Sequence, residues 1–377
     1  MRVMIVVTHL LGTGHLARAL TLARAYLGEG HSVRVVSGGM PAPLLTEPDD
    51  VLVQMPPVLS NGVEFTQLLI KDGTKASEEY MANRQALLLK TLKNFRPDVL
   101  ITELFPFGRR ILRDEFKALL GVARAQDPPP LICASIRDIL APPSKPKKAV
   151  FADDMVREFY DMVLVHSDPD LTPLELSWPV TDELRPALRY TGFVAPPAAG
   201  PHPDLAGDGE IIVSAGGGDV GSPVYDAALA ASSQITHPMR ILIGGAQPEA
   251  QIADLRARAP AHVTVEPARR DFRQMLNHAA ASISLCGYNT ALDILQAGTP
   301  AVFVPFDEGA EVEQGLRAQA LAERAGTVTV TRRELSADIL AAALKQVIAA
   351  PRRAIINHGF DGARRTVEIT QAALEAS

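Results

Sequence analysis

Two residues that could transfer a proton stand where predicted strands end. His15 follows Gly12-Thr13-Gly14 directly after the first predicted strand, and Glu103 is the last residue of another. Ligands of open α/β sheets bind at the carboxyl ends of strands, so both side chains are expected at one sheet edge. A helix begins near His15, and a helix N-terminus lowers the pKa of an imidazole. The neutral form is the one that a general base needs, although a polar residue near a helix start can also be purely structural.

The sequence leaves the role of Glu103 open. A carboxylate at the end of a strand could be a second base, a ligand for a substrate hydroxyl, or the partner that orients His15. A structural salt bridge with Arg109 or Arg110 explains the same residue equally well.

A second candidate site surrounds Gly287, which turns the chain into a helix after a short apolar run that ends at Ile283–Leu285 and is typical of a buried strand. Glycine at such a turn lets the backbone approach a ligand closely. The free N–H groups of a helix start, here at Asn289 and Thr290, suit an anion such as a diphosphate. The pattern therefore predicts an anion site at this turn.

Further polar residues extend this candidate site. Asp293 lies about one turn beyond Gly287, on the polar face that also carries Asn289 and Gln296. A carboxylate there could accept the hydroxyl protons of a ribose, and Gln314 could add a second polar contact. An ordinary α/β helix with a wet polar face has the same spacing, and the spacing alone does not separate the two interpretations.

A third glycine turn, Gly216-Gly217-Gly218, follows the predicted strand Ile211–Ser214. Three glycines expose a bare backbone that suits a phosphate group. No Lys-Ser/Thr pair follows, so the turn is not the P-loop of an ATPase. A flexible turn is the alternative, but the second glycine turn in the same predicted domain favours a ligand site.

The order of predicted elements indicates two similar α/β domains with parallel sheets. Strand, glycine turn and helix occur at the start of the chain and again after Ala195–Gly209, a linker rich in Pro, Gly and Ala. We therefore predict Rossmann-like domains at residues 1–195 and 196–355, with a last helix, 356–377, that packs back on the first domain.

Two other motifs are formal matches with weaker support. Gly12-x-Gly14-x-x-Ala17 fits the dinucleotide fingerprint, but the second strand ends without an acidic residue for a cofactor ribose, which disfavours an NAD-linked oxidoreductase. Asp168-Pro-Asp170 matches a metal-binding carboxylate pair, but the intervening proline is typical of turns. We therefore predict no metal and no cofactor.

Composition excludes several other classes of protein. The 377 residues are 47% hydrophobic and 21% charged, and the net charge of −6 disfavours nucleic-acid binding. Cys133 and Cys286 are the only cysteines, too few for a disulfide framework or a cysteine zinc site. No apolar run reaches the length of a membrane span, and the start does not resemble a secretory signal. The chain is therefore expected to be cytoplasmic, with a peripheral membrane contact and the oligomeric state left open.

These motifs together resemble a known family. The run Gly12–His15 resembles the acceptor-side loop of the MurG-like glycosyltransferases, glycosyltransferase family 28, and the run Cys286–Thr290 resembles their nucleotide-sugar motif together with Asp293, Pro305 and Gln314. Three further segments are similar to the predicted bacterial glycosyltransferases of this superfamily: 102–110, 135–140 and 166–192.

The resemblance implies a GT-B fold, in which two Rossmann-like domains face each other across a cleft. It implies a UDP-sugar donor on the C-terminal domain, with its ribose on Asp293, its sugar near Gln314 and its diphosphate on Gly216–Gly218. It also implies that His15 lies near the reaction centre. The sequence departs from the family pattern at three places: Asp293 replaces the usual Glu, Glu313 replaces a paired glutamine, and no arginine follows Gly192.

The leading hypothesis is a metal-independent glycosyltransferase of the hexosyl- or N-acetylhexosaminyl type. Its partners would be a nucleotide-sugar, with UDP expected, and an acceptor that is a small molecule, a lipid or a glycan. Hydrolysis or epimerisation of a UDP-sugar on the same fold is the first alternative. A non-catalytic protein that binds nucleotide-sugars is the second.

Overall fold

The chain consists of two compact units, which are described here separately. The N-terminal unit comprises Met1–Pro196 and Gly359–Ser377, and the C-terminal unit comprises Pro197–His358. A computed structural model describes these residues: 1–10, 12–42, 45, 47–60, 67–215, 221–245, 248–307, 311–323, 327–352 and 359–376.

The N-terminal unit contains a sheet of seven strands in the order β3-β2-β1-β4-β5-β6-β7, with every neighbouring pair parallel. The strands are β1 (Arg2–Val7), β2 (Ser32–Ser37), β3 (Leu52–Gln54), β4 (Val99–Glu103), β5 (Leu131–Arg137), β6 (Met162–His166) and β7 (Leu188–Tyr190). All five residues of β4 are buried, as expected for a central strand that is covered on both faces.

Helices cover both faces of this sheet and bury two apolar layers. They are α1 (Gly14–Gly28), α2 (Glu78–Phe95), α3 (Arg113–Arg124), α4 (Pro146–Phe159) and, from the end of the chain, α11 (Gly362–Glu375). The last helix packs against α1, where the Tyr26 hydroxyl lies 2.8 Å from Thr370 Oγ1. Val367 of the same helix joins the apolar layer under β1.

The C-terminal unit repeats this architecture with a six-stranded parallel sheet in the order β10-β9-β8-β11-β12-β13. Its strands are β8 (Ile211–Ser214), β9 (Met239–Ile243), β10 (Val263–Pro267), β11 (Ala281–Ser284), β12 (Ala301–Phe303) and β13 (Thr327–Thr329). Its helices are α5 (Ser222–Ala231), α6 (Glu249–Arg258), α7 (Phe272–Met275), α8 (Tyr288–Ala297), α9 (Glu313–Ala322) and α10 (Ala337–Ala349).

Local chemistry sets several helix ends. The Ser77 hydroxyl caps α2 by accepting the N–H of Tyr80 at 3.1 Å, and two glutamates occupy its first turn, where the helix dipole favours negative charge. Helix α8 ends at Gly298, whose φ of 67° lies in the left-handed region that glycine adopts most easily.

The strand order creates one topological switch point in each sheet. Strands β1 and β4 are neighbours, but the chain continues from β1 to β2 on one side and from β4 to β5 on the other. Strands β8 and β11 have the same relationship, because they continue to β9 and β12 in opposite directions. Loops that leave such a point diverge and form the usual ligand crevice of this architecture. His15 follows β1 and Glu103 ends β4, whereas Gly287 follows β11.

The two-sheet α/β architecture was predicted correctly, and strands β4 and β8 have the predicted ends. The three-residue edge strands β3, β7 and β13 were missed, because so few residues give no apolar alternation. Among the helices that the structure describes, none is both long enough and apolar enough to cross a bilayer.

Candidate active site

In the N-terminal unit, His15 and Glu103 contact each other directly. His15 Nδ1 lies 2.9 Å from Glu103 Oε1. Arg18 Nη2 also lies near this nitrogen, at 3.1 Å. The shorter contact is with an ionised carboxylate oxygen, which can only accept, so we assign the proton to Nδ1 and the lone pair of the ring to Nε2. Among the described residues, none forms a hydrogen bond with Nε2. The imidazole is therefore oriented in the tautomer that a general base requires.

The environment keeps this pair in the charge states that a base needs. Burial lowers the pKa of His15 to about 3, although the hydrogen bond with Glu103 opposes the shift. Burial alone would raise the pKa of Glu103, but the Arg18 guanidinium and His15 outweigh it and hold that pKa well below its usual range. His15 is thus neutral and Glu103 ionised near neutral pH.

The position of Glu103 decides between the roles that the sequence left open. Its side chain is only 1% exposed, so it does not reach a substrate hydroxyl, whereas the His15 side chain is 14% exposed. The ion pair of Glu103 is with Arg18, which approaches from α1. Neither predicted salt-bridge partner is bonded to it: Arg109 donates to Thr8 O at 2.6 Å and Arg110 to Phe107 O at 2.6 Å. Glu103 is therefore the orienting partner of His15.

A second buried ion pair fixes the loops at the same sheet edge. Arg84 of α2 is fully buried and donates from Nε to Glu115 Oε2 at 2.7 Å. It also donates to Gly38 O at 2.7 Å, to Pro56 O at 2.6 Å and to Thr8 Oγ1 at 3.0 Å. These acceptors follow β2, β3 and β1, so one guanidinium holds three loops around the His15 edge.

The predicted glycine loop before His15 is accessible. Gly12, Thr13 and Gly14 are exposed, and Thr13 precedes α1 without capping it. A Cβ added at Gly12 or Gly14 would meet nothing within 4 Å. Neither packing nor backbone conformation therefore requires these glycines, which is consistent with a ligand that needs the space.

In the C-terminal unit, Gly287 occupies the predicted turn into α8. Its φ of −65° and ψ of 151° suit any residue, no side chain caps the helix, and a Cβ at this position would also meet nothing within 4 Å. Asn289 is exposed and Thr290 is partly exposed in the first turn. The role of this helix start as an anion site stays a prediction.

The polar face of α8 differs from the wet face that the sequence predicted. Gln296 is only 6% exposed and the Asp293 side chain is 14% exposed. Arg273 of α7 covers this face: its Nε donates to Asp293 Oδ1 at 2.7 Å, and its Nη2 donates to Gln296 Oε1 at 2.9 Å and to Pro197 O at 2.8 Å. Burial raises the pKa of Asp293, and Arg273 partly offsets that shift.

Arg273 is the only hydrogen-bond partner of Asp293 among the described residues, and it contacts Oδ1 and not Oδ2. A small hollow with room for about one water molecule lies beside Asp293, with Arg273, Asn277 and Ala199 in its lining. Gln314 begins α9 and accepts the N–H of Phe306 at 3.1 Å through Oε1. Its amide nitrogen has no partner among the described residues, and no direct bond joins it to Asp293.

The remaining predicted residues divide into two groups. Gly216, Gly217 and Gly218 lie outside the described residues. Asp168 accepts the N–H of Asp170 through Oδ1 at 2.9 Å, so this pair forms a turn, as predicted. In the described part of the chain, no three His, Cys, Asp or Glu side chains form a group that could hold a metal ion.

Sequence reasoning missed four polar residues of these sites: Arg18, Ser135, His166 and Arg273. Arg18 is one turn after His15, on the same helix face, and this spacing was the one available signal. The other three meet their partners only through the tertiary fold.

Comparisons with known proteins agree with this architecture. Residues 229–358 match the glycosyltransferase family 28 C-terminal domain. A relative from Caulobacter vibrioides (strain NA1000 / CB15N), named UDP-N-acetylglucosamine--N-acetylmuramyl-(pentapeptide) pyrophosphoryl-undecaprenol N-acetylglucosamine transferase, is 25% identical over 198 residues, 49% of this chain and 55% of that protein.

A further relative and a solved structure are also similar to this chain. A protein of the same name from Synechococcus sp. (strain JA-2-3B'a(2-13)) is 34% identical over 126 residues, 33% of this chain and 32% of that protein. The matches thus span about half and about a third of these relatives. The crystal structure of Acinetobacter baumannii MurG is similar at a TM-score of 0.61 and 15% identity, over 100% of this chain and 99% of that one, which shows the fold alone.

The resemblance to the MurG-like glycosyltransferases is thereby confirmed: residues 229–358 match the C-terminal domain of glycosyltransferase family 28, and the chain has a GT-B fold.

Proposed function

We propose that the protein is a glycosyltransferase that moves a sugar from a nucleotide-sugar to an acceptor hydroxyl. The observation that carries this proposal is the His15–Glu103 pair at the switch point of the N-terminal unit, with Nε2 of a neutral imidazole available. The family 28 match of the C-terminal unit supports the donor class.

In the proposed reaction, His15 Nε2 accepts the proton of the acceptor hydroxyl. The acceptor oxygen then forms a bond with the anomeric carbon of the donor, and the bond from that carbon to the diphosphate oxygen breaks. The nucleoside diphosphate leaves with the electron pair. Glu103 compensates the positive charge that His15 gains, which lowers the cost of the proton transfer in a buried site.

The donor is proposed to be a UDP-sugar that binds the C-terminal unit. Its diphosphate would lie against the open N-terminus of α8 at Gly287, Asn289 and Thr290, where backbone N–H groups and the helix dipole favour an anion. Asp293 would accept the ribose hydroxyls through Oδ2, and Gln314 would donate to the sugar. No metal is assigned in this scheme, because backbone donors stabilise the leaving diphosphate.

The acceptor is proposed to bind the N-terminal unit beside His15. The named relatives act on an undecaprenol-linked acceptor. For this chain the proposal extends to acceptors of the lipid, glycan or small-molecule class, with the exposed loop Gly12–Gly14 as the first contact.

Turnover of UDP-glucose and UDP-N-acetylglucosamine with panels of these three acceptor classes tests the proposal, with UDP release and the mass of the product as readouts. We expect a glycosylated acceptor that is lost in His15→Gln. His31→Gln is the matched control, because His31 precedes β2 at the opposite edge of the same sheet. Rapid stoichiometric sugar release without acceptor would instead show a hydrolase, and nucleotide binding without any turnover would show a binding protein.

A further inference from the structure

A chain of hydrogen bonds continues from Glu103 into the interior of the N-terminal unit. Ser135 Oγ lies 2.6 Å from Glu103 Oε2 and 3.0 Å from His166 Nε2. His166 Nδ1 lies 2.8 Å from Thr191 Oγ1. Glu103 and Ser135 are register partners on β4 and β5, and His166 ends the next strand, β6. Adjacent strands therefore hold the members of this chain in line.

This row of hydrogen-bonded side chains is buried except at its His15 end. Glu103 is 2% exposed, and Ser135, His166 and Thr191 are fully buried. Polar side chains in such a position destabilise a fold unless their hydrogen bonds are satisfied, and apolar residues would pack there without that requirement. The only member that reaches solvent is the imidazole of His15. A functional role of the His15 imidazole explains why polar side chains, and not apolar ones, occupy this part of the interior.

Donor counting fixes the direction of the bonds between Glu103, Ser135 and His166. Ser135 has one hydroxyl proton, which it donates to the carboxylate of Glu103, so its oxygen must accept from His166 Nε2. Burial lowers the pKa of His166 to about 3, so its ring is neutral and Nδ1 carries the lone pair. The Thr191 hydroxyl lies 2.8 Å from this nitrogen and 2.8 Å from Gly192 O, so its one proton has two acceptors. The donors of Ser135 and His166 thus point towards Glu103, whose other oxygen accepts from His15 and Arg18.

From this geometry we propose that Ser135 and His166 are positioning residues for His15 and act through Glu103. They fix one carboxylate oxygen so that the other faces His15 Nδ1, and this keeps the His15 lone pair on Nε2. Arg18 and His15 both contact Oε1, so without the hydrogen bond on Oε2 the carboxylate could rotate about its axis and weaken the bond that holds the imidazole. The inference rests on the proposed role of His15 as the base.

The charges around these hydrogen-bonded residues explain why the Glu103 carboxylate must be held in one orientation. Arg18 and Arg109 are the cations that face the pair, and each disfavours a proton on His15. Among the residues that the structure describes, Glu103 is the one anion that acts on His15. A small rotation of its carboxylate would therefore leave the imidazole between two cations and reduce its capacity to take a proton.

The test combines a spectroscopic and a kinetic measurement on the full-length protein. ¹⁵N-histidine labelling and long-range ¹H–¹⁵N spectra at pH 7 report which ring nitrogen carries the proton, with His15→Gln and His166→Gln for assignment. We expect His15 protonated on Nδ1 and His166 on Nε2. In Ser135→Ala we expect the fixed His15 tautomer to be replaced by a mixture, and kcat to fall about tenfold with the donor KM unchanged.

Two further variants separate positioning from a general loss of structure. Ser37→Ala is the matched control, because Ser37 is fully buried on the same sheet and its hydroxyl has no partner among the described residues. It should leave the tautomer and kcat unchanged. Ser135→Thr keeps the hydroxyl and should restore both.

A His166 protonated on Nδ1, or a Ser135→Ala variant with wild-type spectra and kcat, would overturn the inference. Failure of the proposed function has a different signature: His15→Gln would keep full turnover, while the tautomer coupling between Ser135 and His15 could persist.

Discussion

His15 Nδ1 donates to Glu103 Oε1 across 2.9 Å, and this bond joins two residues that are 88 positions apart in the chain. It connects the start of α1 to the end of β4, the two elements that flank the switch point of the sheet. The bond sets the tautomer of His15, and burial keeps the imidazole neutral. The first prediction concerns this bond.

Glu103→Gln should remove the negative charge that compensates His15 during proton transfer. We expect kcat to fall about 10²- to 10⁴-fold, the range that general acid–base catalysis contributes, with a smaller change in the donor KM. The measurement is initial-rate kinetics of UDP release. Glu47→Gln, which removes a carboxylate paired with Arg24 at the surface, is the control and should retain activity. Equal kcat values for both variants would exclude the proposed role of Glu103.

The stability of the fold should decrease as the pH falls below about 6.5. Burial lowers the pKa of both His15 and His166 from 6.5 to about 3, so between these values the unfolded chain binds more protons than the folded one. Each histidine then reduces the free energy of unfolding by about 1.4 kcal/mol per pH unit. Glu103 also reduces the free energy of unfolding at lower pH, because its pKa is lower in the folded protein than in the unfolded chain.

Urea unfolding at pH 7, 6 and 5 measures this dependence. His166→Gln removes one of the two histidines, and its free energy of unfolding should change less steeply with pH than that of the wild type. Parallel curves for the two proteins would contradict a neutral, buried His166.

Gly287→Ala separates a ligand role from a structural role. The backbone conformation of Gly287 suits alanine and a Cβ meets no neighbour, so we expect the free energy of unfolding to change by less than about 1 kcal/mol. The affinity for a nucleoside diphosphate should fall at least about tenfold if the diphosphate contacts this backbone. Calorimetry and urea unfolding measure the two quantities.

Gly207→Ala provides the contrast for this experiment. Gly207 has a φ of 90°, and an added Cβ would collide with Met275 O. This variant should lose stability by more than about 1 kcal/mol. A Gly287→Ala variant with wild-type nucleotide affinity would exclude close approach of the diphosphate.

Arg84→Met tests whether one guanidinium holds the loops around His15. The substitution leaves Glu115 buried without its cation and three loop acceptors without a donor, so we expect a loss of about 3–5 kcal/mol in urea unfolding. Arg157→Met removes an exposed arginine that is paired with Asp154 and Glu183, and it should leave the urea-unfolding curve nearly unchanged. Similar losses for both variants would rule out a special role for Arg84.

The sequence predicted the parts of the fold that local patterns encode. Apolar runs gave the central strands, and Gly287 marked the turn into α8. The prediction that His15 and Glu103 lie at one sheet edge followed from their positions at strand ends. The carboxyl ends of parallel strands lie at the same edge of a sheet, and ligands bind there.

Contacts between distant elements could not be predicted in this way. The pairing of Arg273 with Asp293 joins α7 to α8 and turned a predicted wet face into a covered one. Glu103 pairs with Arg18 rather than with the arginines that follow it in sequence. The side-chain directions that select such partners depend on how the helices pack on the sheet, which residue spacing does not specify.

Calorimetric titration with nucleotides tests the central claim most directly. Wild type and Asp293→Ala should be titrated with UDP, GDP, ADP, dTDP and NAD, each with Mg²⁺ and with EDTA. We expect UDP to bind with the highest affinity, EDTA to leave its Kd unchanged, and Asp293→Ala to weaken binding by at least about tenfold. Absence of binding by any nucleotide, or equal UDP affinity in the variant, would contradict the proposed donor site.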